Sequence, residues 1–262
     1  MPANLSDCHV HTEYSGDSEL SLSWVLTHAE ELNLGGVCPT EHCDPAPTDR
    51  RFMHLDLEGM FDRHRRLGAS RPPVPLGIGL EVTYRPDAEE RIREVLESRP
   101  FDLVIGSIHD LDGLYLREWL NSPARQAQAT APRIRPFVAL TSQMVDSGLF
   151  RVVGHVDYVK RYVPGLTGAS LLAMFHEEFS SMFARLLSRG GVLELNLSGL
   201  RHGCEEPYPS IEILRRYRAL GGEAVTLGSD AHAPGHYVVP LSEGAELART
   251  VGLHVIDWRS MR

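Results

Sequence analysis

Short apolar runs alternate with segments of helical periodicity along the whole chain. The runs are rich in Val, Ile and Leu, which is typical of strands buried on both faces of a parallel sheet. They occupy residues 36–39, 74–82, 103–108, 152–156, 192–197 and 224–228. Another run ends near His9, and a short tail strand is expected at 254–256.

Amphipathic patterns that predict helices fill the intervals between these runs. In the first of them the apolar face consists of Leu22, Val25, Leu26, Ala29 and Leu32. A spacing of three and four residues is the signature of a helix packed on one side. Helices are predicted at 22–33, 57–67, 86–98, 135–147, 169–189, 210–220 and 243–251, and several of them end at paired glycines.

The alternation amounts to about seven βα units, which indicates an α/β protein with parallel strands. Closure into a barrel is favoured over an open doubly wound sheet, because polar candidates follow nearly every strand rather than one switch point. No glycine-rich phosphate motif follows the first strand, which argues against a nucleotide cofactor. We expect a single domain spanning 1–262, with a long loop at 113–136 near the active face.

Composition and charge narrow the functional classes. The chain is 42% hydrophobic and 23% charged, with a formal net charge of −9, so a broad electrostatic grip on nucleic acid is not expected. No apolar run approaches the roughly 20 residues that span a bilayer, and His9 leaves no room for a cleavable signal. We therefore expect a cytoplasmic protein with no membrane partner, and reduced thiols at Cys8, Cys38, Cys43 and Cys204.

Histidine and carboxylate residues recur where the predicted strands end. The segments are Asp7-Cys8-His9-Val10-His11, Thr40-Glu41-His42, Gly79-Leu80-Glu81, Ser107-Ile108-His109-Asp110, Gly154-His155-Val156-Asp157 and Gly228-Ser229-Asp230-Ala231-His232. Imidazole and carboxylate are the ligands that divalent metals prefer, and the ends of parallel strands meet at one face of a barrel. A single such histidine is more often structural, but six in matching positions predict a multinuclear metal site.

The spacing suggests how the ligands are shared among ions. His9 and His11 alternate with Val10, so both rings face one side of an extended strand, and we expect Asp230 and His232 to repeat that geometry. Glu81 is suited to bridging two cations, and His109 with His155 can complete the second. Asp17, His42 and His232 can hold a third. Glu41, Asp110 and Asp157 are expected to orient ligating imidazoles, with direct metal binding as the alternative.

This ordered set resembles the PHP (polymerase and histidinol phosphatase) superfamily across essentially the whole chain. The resemblance implies a distorted (β/α)7 barrel with a trinuclear metal centre at the carboxyl ends of the strands. It implies one ion on His9, His11, Glu81 and Asp230, a second on Glu81, His109 and His155, and a third on Asp17, His42 and His232. Many members have histidine in place of Asp17, and a carboxylate there favours manganese or iron somewhat, so the metals are expected to be Zn, Fe or Mn.

Three further segments, 154–162, 194–201 and 206–210, resemble the monofunctional histidinol-phosphate phosphatases. That resemblance implies L-histidinol phosphate as the substrate and Arg161 and Arg201 as phosphate ligands, since a guanidinium offers forked donors to phosphate oxygens. A metal-bridging hydroxide is expected to attack phosphorus in line. His42, His232 or Asp17 is expected to orient the donor that protonates the leaving alkoxide. Glu13 and His202 are candidates for holding the amine and imidazole.

Two alternative functions remain open from the sequence. One is a PHP phosphoesterase that acts on nucleotides or DNA 3′ ends, against which the acidic balance counts. The other is a non-catalytic metal-bound scaffold, although degenerate members of such families usually lose ligands. The remaining histidines are assigned to outer helices or the tail: His28, His54, His64, His176 and His254.

Overall fold

The computed structural model describes residues 5–45, 55–237 and 240–261. A parallel sheet of seven strands forms its centre, in the order β11-β10-β9-β8-β5-β4-β3. Its strands are β3 (Thr40–Cys43), β4 (Gly79–Thr83), β5 (Leu103–Ser107), β8 (Val152–Val153), β9 (Val192–Asn196), β10 (Ala224–Gly228) and β11 (His254–Val255). The remaining short strands are β1 (Ser6–Asp7), β2 (Gly36–Val37), β6 (Asp110–Leu111) and β7 (Leu114–Tyr115).

The first strand closes the sheet into a barrel. On one side β1 pairs in parallel with β2, and on the other the backbone N–H of Cys8 donates to the carbonyl of Leu227 at 2.8 Å. An isolated parallel bridge joins Val10 to Ala231, just beyond the end of β10. Because β2 leads directly into β3, these two strands together form one stave of the ring. The ring runs in the order β1, β2 with β3, β4, β5, β8, β9 and β10. The prediction of a distorted seven-stranded α/β barrel is confirmed.

Helices follow the strands on the outside of the ring. Their bounds are α1 (Leu22–Glu31), α2 (Leu57–Ala69), α3 (Glu89–Ser98), α4 (Leu116–Asn121), α5 (Pro123–Gln126), α6 (Thr130–Ser147), α7 (Gly168–Met174), α8 (His176–Ser188), α9 (Ile211–Ala219) and α10 (Leu241–Thr250). Ser21 illustrates their local control, because its side chain accepts from the N–H of Trp24 and so caps α1. No helix within the described ranges is long and apolar enough to cross a membrane.

Three predicted elements needed correction. Residues 113–136 are not a long loop, since α4, α5 and the first turns of α6 lie there, and Leu116, Trp119 and Leu120 bury one face of α4. The helix predicted at 169–189 is two helices, because Phe175 leaves helical geometry with φ −133° while its ring is fully buried. The strand predicted from residue 74 begins only at Gly79.

The carboxyl-terminal segment covers the end of the barrel where the strands begin. Trp258 is 1% exposed, and a β-carbon at Gly36 or Gly77 would approach its ring to 2.7 or 2.9 Å. Ser6 donates from Oγ to Asp257 at 3.0 Å, which ties this segment to the start of β1. This end is therefore filled by packing, while the opposite end of the ring carries the polar side chains.

Candidate metal centre

The ends of β1 and β10 bring the first group of donors together. His9 and His11 are fully buried, and their Nε2 atoms lie 3.1 Å apart. Oδ1 of Asp230 lies 3.8 Å from Nε2 of His9 and 3.5 Å from Nε2 of His11. These three side chains form one of the clusters in which donor atoms are close enough to share an ion.

Asp230 reaches this position through a left-handed backbone conformation. Its φ is +53°, so the expected extended repeat of the His9–His11 geometry is wrong for Asp230 and His232. A non-glycine residue held there costs roughly 1–3 kcal/mol and persists where the surroundings fix it. Here the N–H of Asp230 donates to the carbonyl of His9 at 2.7 Å, and Ser198 and Asn196 donate to Oδ2 at 3.0 and 3.2 Å. Oδ1 is thereby left facing the histidines.

Glu81, in the middle of β4, connects the groups. It is 1% exposed, and its Oε1 lies 2.7 Å from Nε2 of His155 and 3.2 Å from Nε2 of His109. Its Oε2 lies 3.1 Å from Nδ1 of His42 and 3.4 Å from Nε2 of His9. One carboxylate thus faces two sets of imidazoles with its two oxygens, which is the arrangement needed to bridge two cations.

The other predicted donors form two further groups around Glu81. Nε2 of His109 and Nε2 of His155 are 3.4 Å apart. Oδ1 of Asp17 lies 3.5 Å from Nε2 of His42 and 3.6 Å from Nε2 of His232. All nine residues singled out from the sequence therefore converge at the carboxyl ends of the strands.

Hydrogen bonds orient four of the imidazoles. Their Nδ1 atoms meet a protein group while Nε2 faces the centre: His9 meets Glu194 at 2.5 Å, His11 meets Ser15 at 3.0 Å, His109 meets Thr83 at 2.9 Å and His232 meets the carbonyl of Asp230 at 3.0 Å. Histidines that bind metals are held in this way, because the second nitrogen fixes the tautomer and the ring orientation. The donor set and its supports fit divalent cations.

Electrostatics favour the metal-binding forms of the central groups. Burial raises the pKa of Glu81, but the charges of His109 and His9 outweigh it and hold the pKa well below its usual range. Burial, with His232 and His42 nearby, lowers the pKa of His11 well below normal. Burial also lowers the pKa of His9, yet Glu194, Glu81 and Asp230 raise it well above normal overall. For His9 the electrostatics thus favour the protonated ring instead, and a bound cation would take the place of that proton.

The carboxylates expected to orient ligands behave differently from one another. Glu41 accepts from Ser15 at 2.6 Å, and Ser15 in turn contacts His11, so its influence on a ligand is indirect. Asp110 lies 3.6 Å from the guanidinium of Arg85. Asp157 accepts from Lys160 at 2.8 Å and from the N–H of Ser210 at 3.0 Å. The expectation that Asp110 and Asp157 orient ligating imidazoles was therefore wrong, because their side chains contact Arg85, Lys160 and Ser210 instead.

Sequence reasoning did not assign a role to Glu194 or Lys160. Glu194 is 1% exposed and contacts His9 directly. Lys160 is 4% exposed and is held by Asp157 and by Glu206, the latter at 2.7 Å. A carboxylate alternating with apolar residues in Val192–Asn196 was the available signal for Glu194, because only a paired charge is tolerated inside a barrel strand.

A cavity of about 330 Å³ opens over the centre. Its walls combine metal-ligand candidates with basic and aromatic side chains. They are Asp17, His42, Glu81, His109, Tyr115, His155, Tyr158, Arg161, Tyr162, Arg201, His202, Asp230, His232 and His236. The cavity therefore has acidic and imidazole groups at its floor and two guanidinium groups at its wall.

The two arginines are held in place by neighbouring groups. Arg201 donates to the carbonyls of Ser229 and Asp230 at 2.7 and 2.8 Å. Arg161 donates to the hydroxyl of Tyr158, and its guanidinium lies 5.4 Å from the ring centre of Tyr162. Fixed guanidinium groups beside a candidate metal centre form a binding surface for an anion.

Of the two candidates for holding the organic part of a substrate, His202 lines the cavity and Glu13 does not. His202 lines the cavity, and burial together with the charge of Arg161 lowers its pKa to about 3, so it is neutral at physiological pH. Glu13 is exposed and is not among the lining residues; its carboxylate accepts from the N–H of Leu22 at 2.5 Å. Contact of Glu13 with substrate stays a prediction; in this structure its side chain is engaged at the start of α1.

Histidines and cysteines elsewhere agree with their expected structural roles. His64 lies within α2, where its Nδ1 donates to the carbonyl of Met60 at 2.9 Å. His176 begins α8. His54 lies outside the described residues. The four cysteines are free, and three of them are buried.

Several known proteins resemble this chain in sequence and in fold. A family model described as PHP domain matches residues 7–198. A probable histidinol-phosphatase of Clostridium acetobutylicum is 28% identical over 86% of this chain and 86% of its own length. A histidinol-phosphatase of Lactococcus lactis is 27% identical over 95% of this chain and 91% of its own length. A solved structure of histidinol phosphate phosphatase from Lactococcus lactis, complexed with zinc, L-histidinol and phosphate, superimposes with a TM-score of 0.83 at 24% identity, covering 97% of this chain and 95% of that one.

Proposed function

The chain belongs to the PHP domain family, and on that premise we propose that it hydrolyses L-histidinol phosphate to L-histidinol and inorganic phosphate with the help of divalent metal ions. Support comes from relatives in Clostridium acetobutylicum and Lactococcus lactis that bear the histidinol-phosphatase name and align along most of both chains. The proposed enzyme is one domain spanning 1–262 that acts in histidine biosynthesis. The cytoplasmic location and the absence of a nucleic-acid partner stay predictions.

One observation carries the proposal: Arg161 and Arg201 line the same cavity as seven of the nine clustered donors, while His9 and His11 are fully buried and do not line it. A phosphate monoester dianion repels nucleophiles, so its charge must be neutralised before attack. Guanidinium groups on the wall bind two of its oxygens, and the donors on the floor provide the sites for cations. A cavity of about 330 Å³ is also of the size that takes a small molecule.

We assign three divalent ions to the centre. His9, His11, Glu81 and Asp230 would hold the first, Glu81, His109 and His155 the second, and Asp17, His42 and His232 the third. Such ions supply Lewis-acid chemistry, which neutralises phosphate oxygens and lowers the pKa of water. Zinc, iron and manganese all suit this mixture of imidazole and carboxylate.

The leaving group is assigned to the side of the cavity formed by the third group. Asp17, His42 and His232 have side chains that are 30%, 10% and 18% exposed, whereas His9 and His11 are fully buried. These three side chains line the cavity in which substrate would bind, as do His109 and Asp230, whose side chains are 15% and 12% exposed. In the reaction a water oxygen forms a bond to phosphorus as the ester P–O bond breaks, and the leaving alkoxide oxygen takes up a proton. These three side chains orient the donor of that proton.

The test is phosphate release from a panel of substrates by one preparation of the metal-loaded protein. L-histidinol phosphate should be hydrolysed far faster than nucleoside monophosphates, sugar phosphates or phosphorylated DNA 3′ ends. Equal rates across the panel would remove the histidinol assignment and leave a general phosphatase. Faster action on DNA ends would instead support the nucleic-acid alternative.

Metal analysis on the same preparation separates an enzyme from a scaffold. Chelation should abolish hydrolysis, and readdition of zinc, iron or manganese should restore it. Protein that retains its metal and its fold yet releases no phosphate from any member of the panel would favour the scaffold.

A further inference from the structure

Strand β9 carries none of the nine donors, yet one of its side chains contacts two of them, His9 just after β1 and His155 just after β8. Glu194 points into the barrel and is 1% exposed. Its Oε1 lies 2.5 Å from Nδ1 of His9, and its Oε2 accepts from the backbone N–H of His155 at 3.0 Å. The carboxylate therefore links the ends of β1 and β8 beneath the metal centre.

Every partner of this carboxylate in these contacts is a hydrogen-bond donor. The backbone N–H of His155 can only donate. Nδ2 of Asn196 lies 3.3 Å from both oxygens of Glu194, and its identity as the amide nitrogen is fixed because Oδ1 of Asn196 accepts from the N–H of Ser198 at 2.9 Å. A carboxylate, which only accepts, thus requires the proton of the His9 ring to reside on Nδ1.

The consequence for His9 is a defined tautomer. With its proton on Nδ1, the ring presents the lone pair of Nε2 to the space shared with His11 and Asp230. The opposite tautomer would place a hydrogen there and block metal binding. Asn196 extends the same network to Asp230, since Nδ2 also donates to Oδ2 of that residue at 3.2 Å.

The backbone around Glu194 leaves room for this contact. A β-carbon at Gly228 would come within 2.4 Å of Oε1 of Glu194 and within 2.4 Å of the β-carbon of His9. A β-carbon at Gly154 would lie 2.5 Å from Oγ of Ser107 and 3.4 Å from Oε2 of Glu194. Any side chain at Gly228 would therefore overlap both the carboxylate of Glu194 and His9, and would disturb the contact between them.

We propose that Glu194 is a positioning residue that fixes the tautomer and orientation of His9 and thereby sets the affinity of the ion shared with His11 and Asp230. The inference rests on the proposed metal centre but not on the identity of the substrate. Partners of this kind typically contribute about 10- to 100-fold in metal affinity.

The decisive variant is Glu194→Gln, which preserves shape and removes one acceptor. If the NH₂ group of the glutamine faces His9, the ring proton of His9 must move to Nε2. If the NH₂ group faces His155, it opposes the backbone N–H of His155, which now donates to Oε2 of Glu194 at 3.0 Å. Competition with a chromophoric chelator should show about 10- to 100-fold weaker binding of one zinc ion per chain. Long-range ¹H–¹⁵N correlation of the zinc-loaded protein should show a changed His9 pattern.

Asp157→Asn is the matched control, because Asp157 is fully buried and contacts Lys160 and Ser210 rather than a predicted ligand. It should retain zinc affinity and the wild-type His9 signals. Equal losses in both variants, or wild-type zinc affinity and an unchanged His9 pattern in Glu194→Gln, would overturn the proposal.

A second variant tests the same contact if Glu194→Gln folds poorly. Gly228→Ala keeps the carboxylate in the chain, but its methyl group would overlap both Oε1 of Glu194 and the β-carbon of His9, so it should disturb their contact and weaken the same ion. Unaltered zinc binding in this variant would count against the proposal. A wild-type protein that fails to hydrolyse L-histidinol phosphate, while the zinc results follow expectation, would refute the proposed substrate and leave the role of Glu194 intact.

Discussion

The Nε2 atoms of His42 and His232 lie 3.3 Å apart, although 190 residues separate them in the chain. Both rings also stack against His11, with centroids 4.2 and 4.1 Å from it. Asp17 completes the group with an oxygen 3.5 Å from one ring nitrogen and 3.6 Å from the other. This pair therefore marks the third proposed ion site, at the open side of the centre.

Replacing Asp17 tests that site selectively. Asp17→Asn removes the only carboxylate charge of the group and should cost the protein its third ion, whereas the ions held through Glu81 remain. Asp17→His supplies a softer donor and should restore occupancy with zinc preferred over manganese. Elemental analysis after dialysis gives the count, and full retention in Asp17→Asn would contradict the assignment.

Arg161 and Arg201 should respond differently to replacement by lysine. Arg161→Lys loses forked contacts to phosphate, so kcat/KM should fall about 10- to 100-fold, or about 1.4–2.7 kcal/mol, with metal content unchanged. Arg201→Lys also loses the bonds to the carbonyls of Ser229 and Asp230, and so should weaken metal binding as well. Steady-state kinetics and metal analysis of both proteins distinguish these outcomes. Equal behaviour of the two variants would show that the carbonyl contacts of Arg201 do not support Asp230.

Removal of metal should destabilise the fold. The buried carboxylates Glu81 and Asp230 and the surrounding imidazoles are brought together for cations, so ions that bind only the folded state stabilise it by mass action. At about 1,000 times the dissociation constant the gain is about 4 kcal/mol, which corresponds to a Tm shift of about 10 °C for a chain of this size. Calorimetry with and without a chelator measures it, and coincident transitions would contradict the proposed occupancy.

His202 gives a pH-dependent prediction for stability. Burial and the charge of Arg161 lower its folded-state pKa to about 3; Arg201 and His236 lower it further, and Asp230 offsets part of the shift. An unfolded histidine titrates near 6.5, so between these values the unfolded chain binds more protons and the folded state loses stability as pH falls. His202→Asn removes this penalty. As the pH is lowered from 7 to 5, the free energy of unfolding should therefore fall less in the variant than in the wild type. Urea denaturation at the two pH values measures this difference.

Trp258 allows the closed end of the barrel to be tested apart from the metal centre. Trp258→Ala should lower the free energy of unfolding by about 3–5 kcal/mol, because the ring is 1% exposed and packs against Gly36 and Gly77. Metal stoichiometry at saturation should not change, since the ligands lie at the opposite ends of the strands. Loss of metal in a folded Trp258→Ala protein would show that the two ends are coupled.

The barrel and its nine donors were accessible from sequence because each depends on a local signal. Buried parallel strands are continuous apolar runs, and residues that follow them must meet at one face. The same reasoning missed Glu194: its place among the apolar residues of Val192–Asn196 indicates a buried, paired charge, but the sequence does not show that the partner is His9. Nor did it indicate the contact of Glu13, whose carboxylate accepts from the N–H of Leu22 nine residues further along the chain.

The errors in secondary structure have a similar origin. Residues 113–136 are rich in polar residues and interrupted by prolines, yet Leu116, Trp119 and Leu120 supply enough apolar contact for α4. Phe175 divides a continuous helical pattern because its side chain is buried while its backbone leaves the helix. In both cases tertiary packing decided a conformation on which local periodicity was ambiguous.

Closure of the ring by β1 imposes an order on biogenesis. The first proposed ion needs His9 and His11, which follow β1, and Asp230, which follows β10, so a nascent polypeptide holds only part of that site until β10 and Asp230 have left the ribosome. Assembly of the complete first site must therefore follow synthesis of the chain through Asp230.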